Sequence, residues 1–340
     1  MQTTMTSPRG IIIYGVGGVG QTVARIVHER QWPIVAALNR PGAKVGRELG
    51  EVASLAGPVG ITVQDAGSAR LGEFGANIAV LAVHDRLDDN LPIYRRLLEA
   101  GLNVICTGGE TSYPRAVDPA IAAEIDAMAK ANGVTLTGCG LWDTYRVWTV
   151  KALAGPCTAL RGLHHRSVTD VNRFGPEVAR LVKIGGDPAD FARSAGGEKS
   201  IYRVFVQQVV ESLGLTVEKV AERQEPVVFD EALPCSALDR DIAAGACAGS
   251  RSIIEVTTRE KVIALAEVDL RLTRDGEGEW MSWTIDGDPP AEMRLQGLDT
   301  GHATASSVAN RILDVIAAAP GLVTVDQMAP MRLQLNCRVS

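Results

Sequence analysis

Apolar runs and helically spaced stretches alternate through the first 140 residues of the chain. "GIIIYGVG" is a β-branched run that stops at glycine, and "GQTVARIVHERQ" follows with Val23, Ile26 and Val27 on one helical face. "PIVAALNR" reads as a second buried strand, "ANIAVLAVHD" as a third and "LNVICTGG" as a fourth. The amphipathic helix "RLDDNLPIYRRLLEAG" lies between the last two and stops at Gly101. "PAIAAEIDAMAKANG" adds another helix with a glycine stop, and "VTLTGCG" one more strand. Strands that are apolar throughout, separated by helices, predict a parallel sheet covered on both faces.

Beyond about residue 141 the period shortens. "LRGLHHRSVTDV", "LTVEKVAERQEPVVF", "RSIIEVTTRE", "KVIALAEVDLRL" and "EWMSWTIDG" alternate as strands, interrupted by helices around "PEVARLVKIG" and "EKSIYRVFVQQVVESLG". This is the pattern of an α+β domain with a mixed or antiparallel sheet. "TASSVANRILDVIAAAPG" then forms a long helix expected to return to the first domain. The expected division is residues 1–140 with 300–340 as one domain and 141–299 as the other, with a cleft between them as the default site.

Composition narrows the function classes. The 340 residues are 46% hydrophobic and 22% charged, with a formal net charge of -6 and no block of Lys and Arg. Nucleic acid is therefore not an expected partner. No apolar stretch reaches the length of a membrane span. "MQTTMTSPRG" lacks the basic start and apolar core of a signal peptide, which predicts a cytoplasmic protein. The six cysteines form no C-x-x-C pair, and no His/Cys/Asp cluster has metal-ligand spacing, so no metal site is expected.

The first strand runs into Gly15-x-Gly17-x-x-Gly20, with Gly18 and Val19 inside the turn. Such a pattern carries meaning after a strand and at the start of a helix, in an alternating β/α series. Gly15 permits the tight turn, Gly17 lets the backbone approach a pyrophosphate, and Gly20 allows close contact between helix and strand. The helix N-terminus offers unpaired N–H groups to the phosphates. This predicts a Rossmann-type, doubly wound dinucleotide-binding domain. The second strand ends in Asn39 and Arg40, where an NAD site would carry an acid for the ribose hydroxyls. A guanidinium suits a 2′-phosphate, and Lys44 and Arg47 follow, so NADP is favoured with NAD also accepted.

Ligands of such sheets lie beyond the carboxyl ends of the strands. There, after Thr107, Gly108 and Gly109, stands a single carboxylate, Glu110, expected near the nicotinamide. The competing reading is that Glu110 caps or begins the helix leading into "YPRAVDPA". "YGVGGVG", "VICTGGETSYPR", "TGCGLWDTYRVW" and "ANRILDVIAAAPGLVTVDQM" together resemble the dihydrodipicolinate-reductase-like superfamily. Within it they are most similar to the 2,4-diaminopentanoate dehydrogenase branch, which includes the native NAD(P)H-dependent amine dehydrogenases. The resemblance implies that Glu110 holds and deprotonates an amine nitrogen. It further implies a homodimer built through the sheets of the second domains.

Aromatic residues make up only 4% of the chain, yet "LWDTYRVW" carries Trp142, Tyr145 and Trp148. Trp142 and Tyr145 suit the wall of a pocket for a small ketone, aldehyde or amine, ordinary packing being the alternative, and Trp148 reads as core. Asn172 and Phe174, before a helix, form a candidate substrate loop, and His84 a candidate cofactor contact. His164 and His165 faintly resemble the paired histidines of dihydrodipicolinate reductases, but adjacent strand residues face opposite sides. The expected activity is amine dehydrogenation, run in reverse as reductive amination with ammonia. An imine or enamine reductase, a diamino acid dehydrogenase served by Arg146, Arg161, Arg166 or Arg173, and a non-catalytic NADP sensor are the alternatives.

Overall fold

The computed structural model describes residues 7–194 and 200–334. It divides into two compact units: residues through Arg146 together with those from Gly301 onward, and Val147–Thr300. The elements up to Gly138 are β1 (Ile11–Tyr14), α1 (Gly18–Glu29), β2 (Ile34–Asn39), α2 (Leu49–Val52), β3 (Val63–Asp65), β4 (Ile78–Leu81), α3 (Leu87–Glu99), β5 (Asn103–Cys106), α4 (Pro119–Ala131) and β6 (Thr135–Gly138). The strands predicted as third and fourth are therefore β4 and β5, because the three-residue β3 intervenes.

Burial explains why these segments become strands of a parallel sheet. Ile11, Ile12 and Ile13 are all at 0% exposure, as are Ile78 to Leu81, so neither face of either strand meets water. The α1 helix buries Gly20, Val23, Ala24 and Val27, the i, i+3, i+4, i+7 stripe of a helix laid on a sheet. Gly101 and Gly133 follow α3 and α4 with φ of +71° and +67°, the left-handed conformation that ends a helix. Asp118 starts α4 by accepting hydrogen bonds from the Ala120 and Ile121 N–H groups.

The second unit contains α5 (Thr149–Ala154), β7 (Ala159–Asp170), α6 (Gly175–Leu181), α7 (Pro188–Ser194), α8 (Tyr202–Ser212), β8 (Val217–Val228), β9 (Leu233–Cys235), β10 (Arg240–Ile242), β11 (Cys247–Thr258), β12 (Ile263–Arg271), β13 (Glu279–Asp288) and β14 (Ala291–Leu298). Its six-stranded sheet runs β14-β13-β7-β12-β11-β8. The β7–β12 pair is parallel and the others are antiparallel. One face packs on α8, where Phe205 meets the His165 and Trp283 rings edge-on at 5.2 and 6.4 Å. His165 is fully buried there, whereas the His164 side chain, 38% exposed, contacts Glu267 at 3.0 Å. The two histidines thus face opposite sides, as strand geometry demands.

The chain closes with α9 (Thr300–Ala317) and β15 (Gly321–Leu322). With β15 the first sheet has seven strands, all parallel, in the order β15-β6-β5-β4-β1-β2-β3. The chain moves outward from β1 through β2 to β3, then restarts on the other side of β1 at β4, the order of a Rossmann fold. The terminal segment is fastened to the first unit by polar contacts. Leu322 N–H donates to Asp126, and the Thr135 and Thr137 hydroxyls donate to the Ala319 and Val323 carbonyls. Arg311 on α9, fully buried, grips Asp143 through Nε and Nη2 at 2.5 and 3.0 Å. Asp143 opens a π-helical turn, Asp143–Trp148, six residues long and too short for a repeat to show in the sequence.

Candidate functional site

The glycine turn sits where β1 leaves the sheet. Gly15 has φ of +94°, and a Cβ there would collide with the Ala82 carbonyl just past the end of the neighbouring strand β4. A Cβ on Gly20 would strike the Gly15 carbonyl, so this glycine is needed for the helix to start so close to the strand. Gly17 and Gly18 differ: nothing stands within 4 Å of a Cβ at either position. Their lack of side chains leaves open space in front of the helix rather than relieving contact within the protein. Among the described residues no side chain caps α1 at Gly17, and the first turn of the helix holds no acid. This donor set, with Val19 in the same first turn, suits an anionic pyrophosphate.

Asn39 and Lys44 both hold the turn. The Asn39 side-chain oxygen accepts the Val16 N–H at 3.1 Å, and Lys44 Nζ donates to the Val16 carbonyl at 2.6 Å. A cation is thereby fixed beside the turn. Arg40 is exposed, and no hydrogen bond or ion pair of its guanidinium is found among the described residues.

Glu110 begins a short 3-10 turn, Glu110–Ser112, after β5. Its side chain neither lies in solvent nor caps the helix that follows. With 3% exposure it reaches back to α3, where Oε2 accepts the Leu87 N–H at 2.8 Å. Oε1 lies 3.4 Å from Nη1 of Arg86, the N-cap residue of α3. Arg86 makes no side-chain cap of its own, so the Glu110 carboxylate performs that task. The main chain around it is pinned from the same direction. Gly109 N–H donates to Asp85 Oδ1 and Glu110 N–H to the Asp85 carbonyl, at 2.9 and 3.0 Å. Although Asp85 is exposed as a residue, its carboxyl faces the turn. Desolvation raises that carboxyl above the ordinary aspartate range, while the Gly109 N–H and the nearby His84 pull it back.

A buried network supports the turn from behind. Tyr94 of α3 meets the Thr111 hydroxyl at 2.5 Å and donates to Cys106 Sγ at 3.2 Å, and the Gly108 N–H also points at that sulfur at 3.3 Å. Burial pushes both the Tyr94 phenol and the Cys106 thiol up, which keeps them neutral hydrogen-bonding groups. Gly108 is required here, since a Cβ would stand 2.6 Å from the His84 carbonyl. Thr107 N–H continues the sheet pairing by donating to Leu81 at 3.0 Å.

The carboxyl edge of the first sheet thus brings together the glycine turn, Asn39, His84, Thr107, Gly108, Gly109 and Glu110. His84 is exposed and gives its carbonyl to the Asn90 side chain at 2.8 Å. Asp85, Arg86, Tyr94 and Thr111 were not singled out from the sequence. The signal available for the first two was a charged pair, "DR", where a buried strand runs into a helix.

The expected pocket residues are spread over both units. Trp142 belongs to the first and is buried, with the Arg146 guanidinium 4.2 Å from its ring centroid, while Tyr145 is half-buried. Trp148, expected in the core, is likewise only half-buried, with Lys151 Nζ 4.5 Å from its ring. Asn172 and Phe174 belong to the second unit, in the turn Val171–Phe174. The Asn172 oxygen accepts the Ala237 N–H at 3.1 Å, and Phe174 is 43% exposed. No group of His, Cys, Asp and Glu among the described residues could hold a metal ion, and no described helix is long and apolar enough to cross a membrane.

Known proteins resemble this chain over most of its length. Residues 148–337, more than half of the chain, match the 2,4-diaminopentanoate dehydrogenase C-terminal domain. The 2,4-diaminopentanoate dehydrogenase of Acetoanaerobium sticklandii is 22% identical over 326 residues, 93% of this chain and 92% of that protein. The solved amine dehydrogenase of Mycobacterium smegmatis is 33% identical, with a TM-score of 0.89 over 96% of this chain and 97% of its own. The fold extends further, to GenD2 of gentamicin A biosynthesis in complex with NAD (14% identical, TM-score 0.58, 94% and 90% of the two chains). Given a family match over more than half its length and a relative one-third identical across nearly all of it, the chain belongs to the 2,4-diaminopentanoate dehydrogenase family.

Proposed function

We propose that this protein is an NAD(P)H-dependent amine dehydrogenase, an oxidoreductase acting on CH–NH2 groups. It interconverts a small ketone or aldehyde plus ammonia with a primary amine. The observation that carries the reading is a nearly buried carboxylate, Glu110, at the same carboxyl edge as an uncapped, acid-free glycine turn. The relatives named amine dehydrogenase and 2,4-diaminopentanoate dehydrogenase support it.

The chemistry asks for one such group. When bound, the nicotinamide supplies a hydride to an electrophilic carbon or takes one from the amine. An iminium accepts hydride far better than a ketone, and forming it requires ammonia to attack as the neutral base. Protons must then leave nitrogen and reach the departing oxygen. Glu110 takes the proton from ammonium, faces the cationic nitrogen of the iminium, and returns the proton toward the leaving water. The N–H groups at the start of α1, with Gly17 and Gly18 leaving room, hold the pyrophosphate. Arg40, its guanidinium uncommitted, and Lys44 take the 2′-phosphate, so NADP is preferred and NAD also serves.

The finer picture is a cytoplasmic homodimer. For the dimer, the sheet face of the second unit that lies away from α8 offers a mixed surface: Arg166 pairs with Glu267 and Arg251 with Asp269 there, charges of both signs that a second copy related by a two-fold axis can meet. The test of the activity is NADPH oxidation by purified protein with a panel of ketones and aldehydes, with and without ammonium. Ammonium-dependent oxidation is expected. Reduction of cyclic imines without ammonium would point to an imine reductase, and no turnover with any amine, ketone or imine would point to a sensor.

A further inference from the structure

The two oxygens of the Glu110 carboxylate are held very differently. Oε2 makes a short, directional hydrogen bond to a main-chain donor, Leu87 N–H at 2.8 Å, which cannot leave without unwinding the start of α3. Among the described residues, Oε1 faces only the Arg86 guanidinium at 3.4 Å, a charge contact longer than a good hydrogen bond. The Arg86 side chain is 48% exposed, against 4% for Glu110, so one partner can swing into water while the other stays.

Around this pair, α3 contributes Asp88 and Asp89 in its first turn, and the strand-to-helix connection contributes His84 and Asp85. Asp85 spends Oδ1 on the Gly109 N–H. Tyr94 and Cys106, behind the turn, are neutral. Arg86 is therefore the cation that occupies Oε1 in the free protein.

We infer that Arg86 is a positioning residue that competes with the ammonium or alkylammonium ion for Oε1 of Glu110, and so sets the affinity for the nitrogen substrate. The inference rests on Glu110 being the amine-binding carboxylate. A guanidinium and a primary ammonium are both cationic donors that one carboxylate oxygen can accept, and both cannot hold the same site. Leu87 N–H keeps the carboxylate aimed while the exchange takes place at the other oxygen. Because Arg86 supplies no cap and is half-exposed, its replacement leaves the start of α3 intact.

The experiment compares wild type with Arg86→Gln in ammonium-dependent ketone reduction at fixed ionic strength. The KM for ammonium should fall about two- to fivefold, the scale of a half-exposed ion pair, and change more than kcat. Added guanidinium chloride should restore the wild-type KM by competing with ammonium. An activity-free readout runs alongside, the melting-temperature rise given by isopropylammonium chloride against equal potassium chloride, which should be larger in Arg86→Gln. An unchanged or higher KM, or a thermal shift no larger than wild type, overturns the competition. Glu110→Gln separates the two levels. If that variant keeps ammonium-dependent turnover, the role of Glu110 itself fails, whereas its inactivity beside an unchanged Arg86→Gln removes only the competition.

Discussion

Oε2 of Glu110 accepts the main-chain N–H of Leu87 at 2.8 Å, so the carboxylate that follows β5 is also the N-terminal cap of α3. One side chain thus joins the turn after β5 to the helix after β4. The bond fixes its orientation and leaves the other oxygen facing the half-exposed Arg86 guanidinium. If Glu110 is the general base of the proposed reaction, this fixed aim is what holds it within reach of the proton it takes.

The capping role has a cost that stability measurements can read. Glu110→Ala removes the acceptor from a buried N–H and should destabilise the protein by about 1–2 kcal/mol. Glu110→Gln keeps an acceptor oxygen and should lose less. Urea denaturation of the two variants checks the order, and equal losses would remove the cap from the account.

The glycine turn separates folding from binding. Gly20→Ala forces a Cβ onto the Gly15 carbonyl and should lower the melting temperature. Gly17→Ala meets nothing within 4 Å, and Gly17 has an ordinary φ of -82°, so the variant should melt like wild type. Its methyl group fills the space in front of the α1 N-terminus, and the NADP dissociation constant should rise about tenfold or more. Calorimetric titration of NADP into Gly17→Ala tests this, and unchanged affinity would move the pyrophosphate elsewhere.

Arg40 bears on the choice of cofactor. Replacing it with aspartate puts a carboxylate where a 2′-phosphate would lie, and charge-assisted hydrogen bonds contribute about 1.5–3 kcal/mol. Arg40→Asp should therefore weaken NADP about 10- to 100-fold while NAD binds as well or better. Dissociation constants for both nucleotides check it, and parallel losses for the two would take Arg40 out of the 2′-phosphate site.

The first sheet was legible because its strands are buried on both faces, so β1, β2, β4 and β5 appear as unbroken apolar runs. β3 and β15 were not, being three and two residues long, too short for a period to show. β14, "AEMRLQGL", lies at a sheet edge with alternating exposure and charge, and offers no apolar run to find. The place of the glycine turn between β1 and α1 was readable in the sequence, and so was the place of Glu110 after β5. Its contacts were not. Leu87 donates through its main chain, which leaves no mark on side-chain type, and the Arg86 pairing spans all of α3 and β5. The π-helical turn at Asp143 is likewise too short for a repeat to show, and its tie to Arg311 joins residues far apart in the chain.

In the second unit, Glu277 carries the pH dependence most simply. Its hydrogen bonds with Arg271 lead the causes that hold its carboxyl below the ordinary glutamate range, with burial opposing and the Arg274 N–H assisting. A depressed pKa in the folded state adds stability above the unfolded pKa, and that stability disappears as pH falls through the depressed value. Glu277→Gln should flatten the acid limb of the stability curve below the ordinary glutamate pKa and lower stability at neutral pH. Denaturation midpoints from neutral to strongly acid pH test the sign, and an unchanged acid limb would contradict it.

The most direct test of the central claim is Glu110→Gln assayed for both nucleotide affinity and ammonium-dependent turnover. The amide keeps the shape and an acceptor for Leu87 but cannot accept the ammonium proton as a base. Turnover should drop about 10²- to 10⁴-fold, the usual scale for losing a general base, with the NADP dissociation constant within a factor of about two. Near-wild-type turnover in that variant would contradict the assignment of proton transfer to Glu110.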